Sequence, residues 1–176
     1  LKAAGKPIIA VILAGRTLTL TNVIDEIDAL LFAWHPGTMG GEAISDLLFG
    51  DFSPSGKLPV SFPRHVGQVP IYYNHKNSGK PPSDDAIVHI DDIDANATQT
   101  SLGMTAFHLD EGFRPLFPFG FGLSYANFVY AKLSCDKQQV RLGEALRISA
   151  EVSNQGSCKA IETVQLYIRD LVGSVT

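Results

Sequence analysis

Cysteine, methionine and tryptophan are scarce, with two, two and one among 176 residues. Two cysteines and five dispersed histidines (His35, His65, His75, His89 and His108) make no zinc-ligand pattern. Positive charge is not in excess: 14 Lys and Arg face 18 Asp and Glu, a net charge of −4. The basic face expected of a nucleic-acid binder is therefore missing. No apolar run is longer than Ile8–Ala14, far short of the ~18–20 residues that cross a bilayer, so no membrane span is expected. Leu1–Lys6 has neither the charged start nor the long apolar stretch of a signal peptide. What is present is an apolar fraction of 45%, which excludes wholesale disorder despite sixteen glycines and ten prolines. The last residues, Leu171–Thr176, bring no closing element, and the chain is expected to be an excerpt from a longer protein.

Three kinds of pattern follow one another. Pro7–Ala14 is a continuous run rich in Ile and Val, read as a parallel strand covered on both faces, and Asp28–Trp34 is a second. Met39–Phe49 has Ala43, Ile44, Leu47 and Leu48 at helical spacing, with Thr38 as N-cap and Gly50 as stop. Strand, crossover, strand and helix are the grammar of an α/β sheet, most of which is expected upstream of Leu1. From Gly50 to Gly122 eight prolines forbid a long helix, and Ser78–Gly103 is a polar excursion. From Phe128 the period becomes two: a strand to Leu133, then Val140–Gly143, then Leu146–Val152, a turn at Asn154-Gln155-Gly156, and alternation again over Val164–Ile168. That is the pattern of a β-sandwich with roughly three of its ~7 strands.

Several short motifs do not carry the chemistry they resemble. Gly50–Leu58 has the wrong glycine spacing for a phosphate loop, and Pro54 removes a backbone donor. Gly37, Gly40 and Gly41 lack the dinucleotide fingerprint and read as close packing at a helix start. Asp92, Asp94 and Asn96 occupy calcium-loop positions, but Ala97 replaces the required Gly and Gly103 the bidentate Glu, so the acidic loop 84–94 reads as a solvated face. Gly122–Ala126 resembles a nucleophile elbow yet precedes a β pattern instead of a helix. Cys135 and Cys158 fall toward opposite ends of a strand pair, beyond the ~7 Å reach of a disulfide, and read as free thiols. The sequon Asn96-Ala97-Thr98 is usable only in a secreted eukaryotic protein, and because such tripeptides often arise by chance it is given no weight.

Four longer segments stand in one order: Gly15–Leu18 after an apolar strand; Trp34–Gly41 leading to Asp46–Asp51; Ser53–Arg64; and Pro118–Tyr125. With Val66–His75 they resemble the second half of glycoside hydrolase family 3, especially the periplasmic bacterial β-glucosidases. The resemblance implies an α/β fold. Residues 1–124 are expected to be the C-terminal part of an α/β sandwich domain, and residues 125–176 the truncated start of a fibronectin type III-like β-sandwich. It also implies a retaining β-glycosidase acting on terminal β-D-glucosyl residues of oligosaccharides or glycosides, periplasmic or secreted, without cofactor or metal. A β-xylosidase or exo-glucanase of the same family, or a non-catalytic carbohydrate-binding or scaffold module, are the alternatives.

Such an enzyme needs a carboxylate nucleophile and an acid/base about 5 Å apart. In the family these lie on an N-terminal barrel and upstream in the second domain. No Asp or Glu of this chain is therefore assigned a catalytic role, and the chain alone is expected to be inactive. Its expected contribution is the pocket rim, with Trp34, His75 and Asp110 as candidate substrate-binding residues. Trp34 ends a strand, where an indole can stack on a sugar, although core packing is the commoner use. Phe117, Phe119, Phe121 and Tyr125 read as an aromatic weld between domains.

Overall fold

The computed structural model describes residues 2–75, 80–98 and 107–173. By packing, the chain divides into two units. One comprises Leu1–Gly40, Lys57–Phe121 and Gln165–Thr176, the other Gly41–Gly56 and Gly122–Val164.

In the first unit the two apolar runs pair as parallel strands, β1 (Ile9–Ile12) and β2 (Ala29–Phe32), in the register Ile9 with Ala29 through Ile12 with Phe32. A parallel pair needs a long crossover. Residues 13–28 supply it, with one helical turn, α1 (Thr21–Ile24). The start is clamped by Asp28, whose carboxylate accepts the Ile8 amide at 2.7 Å while the Asp28 amide returns a bond to the Ile8 carbonyl at 2.9 Å. At the far end the Ala33 amide donates to the Ile12 carbonyl at 2.8 Å.

Full burial of these strands is not observed. Both carry one exposed and three half-exposed residues, because no layer among the described residues covers both faces of a two-stranded sheet. The buried apolar core is correspondingly small, with Leu20 at 5% and Phe62 at 1% exposure. Phe62 is placed by two antiparallel rungs to Leu116 and Phe117, and two further bonds join Leu58 to Gly120 and Phe121. Its ring is the hub of an aromatic cluster, edge-on to Phe32 at 4.9 Å and to Trp34 and Phe117 at 6.1 Å each.

The predicted helix is observed as α2 (Gly40–Phe49), which leaves Thr38 one position short of the cap. Gly50 ends it in the left-handed region, φ 86°, with its amide bonded to the Asp46 carbonyl at 3.1 Å. Only glycine adopts that conformation without strain. Of the three glycines read as close packing, only Gly40 shows it: a Cβ there would stand 2.6 Å from Pro36 Cγ, whereas Gly37 and Gly41 face open space, and Gly37 serves a left-handed turn instead, φ 74°.

In the second unit β3 (Phe128–Cys135) and β4 (Ile148–Asn154) form an antiparallel pair with a bulge between Ala131 and Ser134, where Lys132 has φ 53°. Two strands stand where about three were expected. Val140–Gly143 is a turn closed by the Glu144 amide on the Arg141 carbonyl at 3.0 Å. Val164–Ile168 alternates in sequence but forms no strand; Gln165 bonds through its side chain, Nε2 donating to the Gly120 carbonyl at 3.0 Å. Both strands are almost wholly exposed after their first residues, so period two is present without a covering sheet. The cysteines are free, Cys135 at the end of β3 opposite Ile148 and Cys158 beyond Asn154.

Candidate functional site

Because β1 and β2 are parallel, their carboxyl ends share one edge, where open α/β sheets bind ligands. From that edge run Leu13–Arg16 and Ala33–Gly37. Trp34 leaves β2 with φ 52°, a left-handed conformation that is costly for a bulky side chain. Its half-exposed indole meets Phe32 edge-on, centroids 4.7 Å apart. Next to it, the exposed His35 ring lies over Gly15, with His35 Cδ2 3.0 Å from where a Gly15 Cβ would be. The left-handed turn at Trp34 thus sets the indole against Phe32 and Phe62, and the next residue's imidazole over Gly15.

His75 lies elsewhere in the same unit, exposed, just after Tyr73, whose ring stacks on Phe119 at 4.8 Å. Asp110 sits in a tight turn that the Gly112 amide closes on the His108 carbonyl at 2.6 Å. The Asp110 carbonyl is held by His89. Nδ1 of His89 accepts the Asp91 amide at 3.2 Å, so Nε2 carries the proton and donates it to Asp110 at 2.9 Å. The Asp110 carboxylate is brought not to Trp34's aromatic cluster but to two histidines. Ligand atoms of His65, His108 and Asp110 all lie within 4.8 Å of one another.

This grouping was missed in the sequence, where no spacing connects His65 to His108 and only the short step from His108 to Asp110 hints at it. Beside it lies a cavity of about 190 Å³ lined by Thr19, Thr21, Asn22, Arg64, His65, Val66 and Glu111. The acidic loop behaves as a solvated face. Asp84 is tied to Arg114 by two bonds of 2.8 and 2.5 Å, and Asp94 accepts the Asn96 amide at 2.7 Å in a local turn. The Arg114 hydrogen bond holds the Asp84 carboxyl below its ordinary range. Gly103, the last position of the calcium-loop comparison, lies outside the described residues.

Ser124, at the centre of the elbow-like segment, is engaged structurally. Its hydroxyl is 2.9 Å from that of Ser53 and accepts the Ala126 amide at 3.1 Å.

Residues 1–125 match the family model of the glycosyl hydrolase family 3 C-terminal domain. The chain belongs to this family. It is 39% identical to the periplasmic β-glucosidase of Salmonella typhimurium over 176 residues, covering 100% of this chain and 21% of that protein. Against a putative β-xylosidase of Formosa agariphila the identity is 36%, over 99% of this chain and 20% of the relative. The crystal structure of a β-glucosidase from Listeria innocua in complex with glucose superposes with a TM-score of 0.74 at 34% identity, covering 88% of this chain and 20% of that one. The chain thus spans about a fifth of the length of these relatives. No helix among the described residues is long and apolar enough to cross a membrane.

Proposed function

We propose that the chain is the C-terminal part of a retaining β-glycosidase that releases terminal β-D-glucosyl residues from oligosaccharides or glycosides. The observation that carries this reading is the 39% identity to a periplasmic β-glucosidase along the whole chain. In this reading residues 1–124 complete an α/β sandwich domain and residues 125–176 open a fibronectin type III-like domain. The nucleophile and the acid/base, about 5 Å apart, belong to polypeptide outside this chain. Its N-terminal barrel and the rest of the sheet cover the apolar faces left open here, such as Ile9 at 54% and Phe49 at 84% exposure. The name of the Salmonella relative supports a periplasmic or secreted location.

Trp34, His75 and Asp110 contribute to the pocket rim. The support is best for Trp34, because strained backbone concentrates where function over-determines it. An indole at a strand's carboxyl end offers a flat apolar face for a sugar ring. A β-xylosidase is the second reading, favoured by the Formosa relative.

The test compares the full-length enzyme with the 1–176 segment on aryl β-glucoside and aryl β-xyloside. Turnover by the full-length protein with the higher kcat/KM on glucoside supports the main reading, and the reverse preference selects the xylosidase. Turnover by the segment alone overturns the assignment of the catalytic pair. For the rim, unchanged kinetics and unchanged melting in all of Trp34→Ala, His75→Ala and Asp110→Ala remove it.

A further inference from the structure

We propose that His65, His108 and Asp110 form a binding site for a divalent transition-metal ion of the zinc type. One ring nitrogen from each histidine and one carboxylate oxygen lie within 4.8 Å of one another. The two rings cross nearly edge to face, 86° between planes with centroids 5.0 Å apart. Lone pairs in the planes of perpendicular rings can converge on one point from different directions, as tetrahedral ligation requires.

A second observation points the same way. His65 Nε2 is buried and has no hydrogen-bond partner. A buried polar atom left without a partner is uncommon and calls for a reason. Two imidazoles and a carboxylate, with a water at the fourth position, are a donor set of the open zinc type. Imidazole favours zinc, copper or nickel over magnesium or calcium. The adjoining cavity, which His65 also lines, carries one cationic and one anionic side chain, Arg64 and Glu111.

The geometry is close to ligating and needs adjustment. Atoms bound to one zinc at ~2.1 Å stand no more than about 4 Å apart. His108 and Asp110 are exposed, so rotation of their side chains supplies the difference. His65 is the constrained member. Its Nδ1 accepts the Gly67 amide at 3.1 Å, so the neutral ring carries its proton on Nε2 without metal. Binding at Nε2 moves that proton to Nδ1 and releases the Gly67 amide. The exchange trades one solvent-accessible hydrogen bond for a metal bond and relieves the unpartnered nitrogen. Asp110 is steadied by the His89 bond to its carbonyl.

The experiment uses tag-free full-length enzyme stripped with chelator, titrated calorimetrically with zinc and spectroscopically with cobalt(II). One equivalent is expected to bind at this site and to give the visible ligand-field bands of a tetrahedral nitrogen and oxygen environment. His108→Gln and Asp110→Asn, both at exposed positions, are each expected to weaken zinc by ~100-fold or more, since even outer-shell losses cost 10–100-fold. The same zinc stoichiometry and affinity in wild type and both variants overturns the proposal. So does the absence of those cobalt bands in the wild type, a result that needs no variant. Aryl β-glucoside turnover, followed in parallel, bears on the glycosidase reading and not on the metal.

Discussion

Trp34 meets Phe32 edge-on at 4.7 Å while its own backbone is left-handed, φ 52°. The two facts predict an order of stabilities. Trp34→Ala and Trp34→Gly both remove the ring, but alanine retains the ~1–2 kcal/mol penalty of that backbone region whereas glycine does not. Glycine's greater freedom in the unfolded chain offsets part of the gain. Trp34→Gly is therefore expected to be more stable than Trp34→Ala by about 0.5–1 kcal/mol in denaturant unfolding of the full-length enzyme. The opposite order means that the left-handed turn is not present in the folded protein.

The hub of the same cluster is the next test. Phe62 is 1% exposed and touches the rings of Phe32, Trp34 and Phe117. Phe62→Ala deletes a fully buried ring and is expected to cost about 3–5 kcal/mol, with Phe62→Leu well below that because most of the volume remains. Equal melting of wild type and Phe62→Ala would show the cluster to be dispensable.

The parallel pair and α2 were legible because their signals are local. An Ile/Val run such as Ile8–Ala14, or helical spacing closed by Gly50, names its own conformation. The strand expected over Val164–Ile168 was not, since alternation states only that a segment suits a sheet, and a strand needs a backbone hydrogen-bonded beside it. The same limit explains the site. Trp34's place just past a strand end was visible in the chain, although its left-handed backbone was not. His65 and His108 were set aside because ligands contributed by separate loops leave no spacing, and only folding brings Asp110 to them.

Adjacent glycines at the start of α2 are expected to respond with opposite signs. A Cβ on Gly40 would stand 2.6 and 2.7 Å from Pro36 ring atoms, which a proline cannot swing aside, whereas Gly41 has open space within 4 Å. Overpacking costs about 1–3 kcal/mol, more than the ~1 kcal/mol that helix propensity returns. Gly40→Ala should lower the melting temperature and Gly41→Ala should hold or raise it. Thermal melts of the two variants decide; a stabilised Gly40→Ala would mean that Pro36 is not seated on the helix start.

Asp84 and Arg114 give a pH dependence of known sign. The Arg114 hydrogen bond, the larger cause, and its charge lower the Asp84 pKa in the folded state, partly opposed by desolvation. A group depressed on folding contributes stability that is fully present above its unfolded pKa, near ~4, and is lost as pH falls through the lower folded value. The difference in stability between wild type and Asp84→Asn is therefore expected to shrink on acidification below about pH 4 and to stay flat above about pH 6. Both side chains are well exposed, so added salt should diminish it. A difference that grows toward acid would reverse the assignment.

Ser124 separates a structural serine from a nucleophile. Its hydroxyl takes the Ala126 amide at 3.1 Å and pairs with Ser53 at 2.9 Å, and Ser53 in turn accepts the Tyr125 amide at 3.0 Å. Ser124→Ala removes two of these bonds from a half-buried position, at a cost of about 1 kcal/mol for each net loss. A nucleophile's removal instead lowers kcat by ~10³-fold or more while leaving the fold intact. The expected outcome is reduced stability with kcat on aryl β-glucoside within a few-fold of wild type. Denaturant unfolding and steady-state kinetics on one preparation of the full-length variant distinguish the two, because a collapse of kcat with unchanged unfolding would put chemistry on this serine.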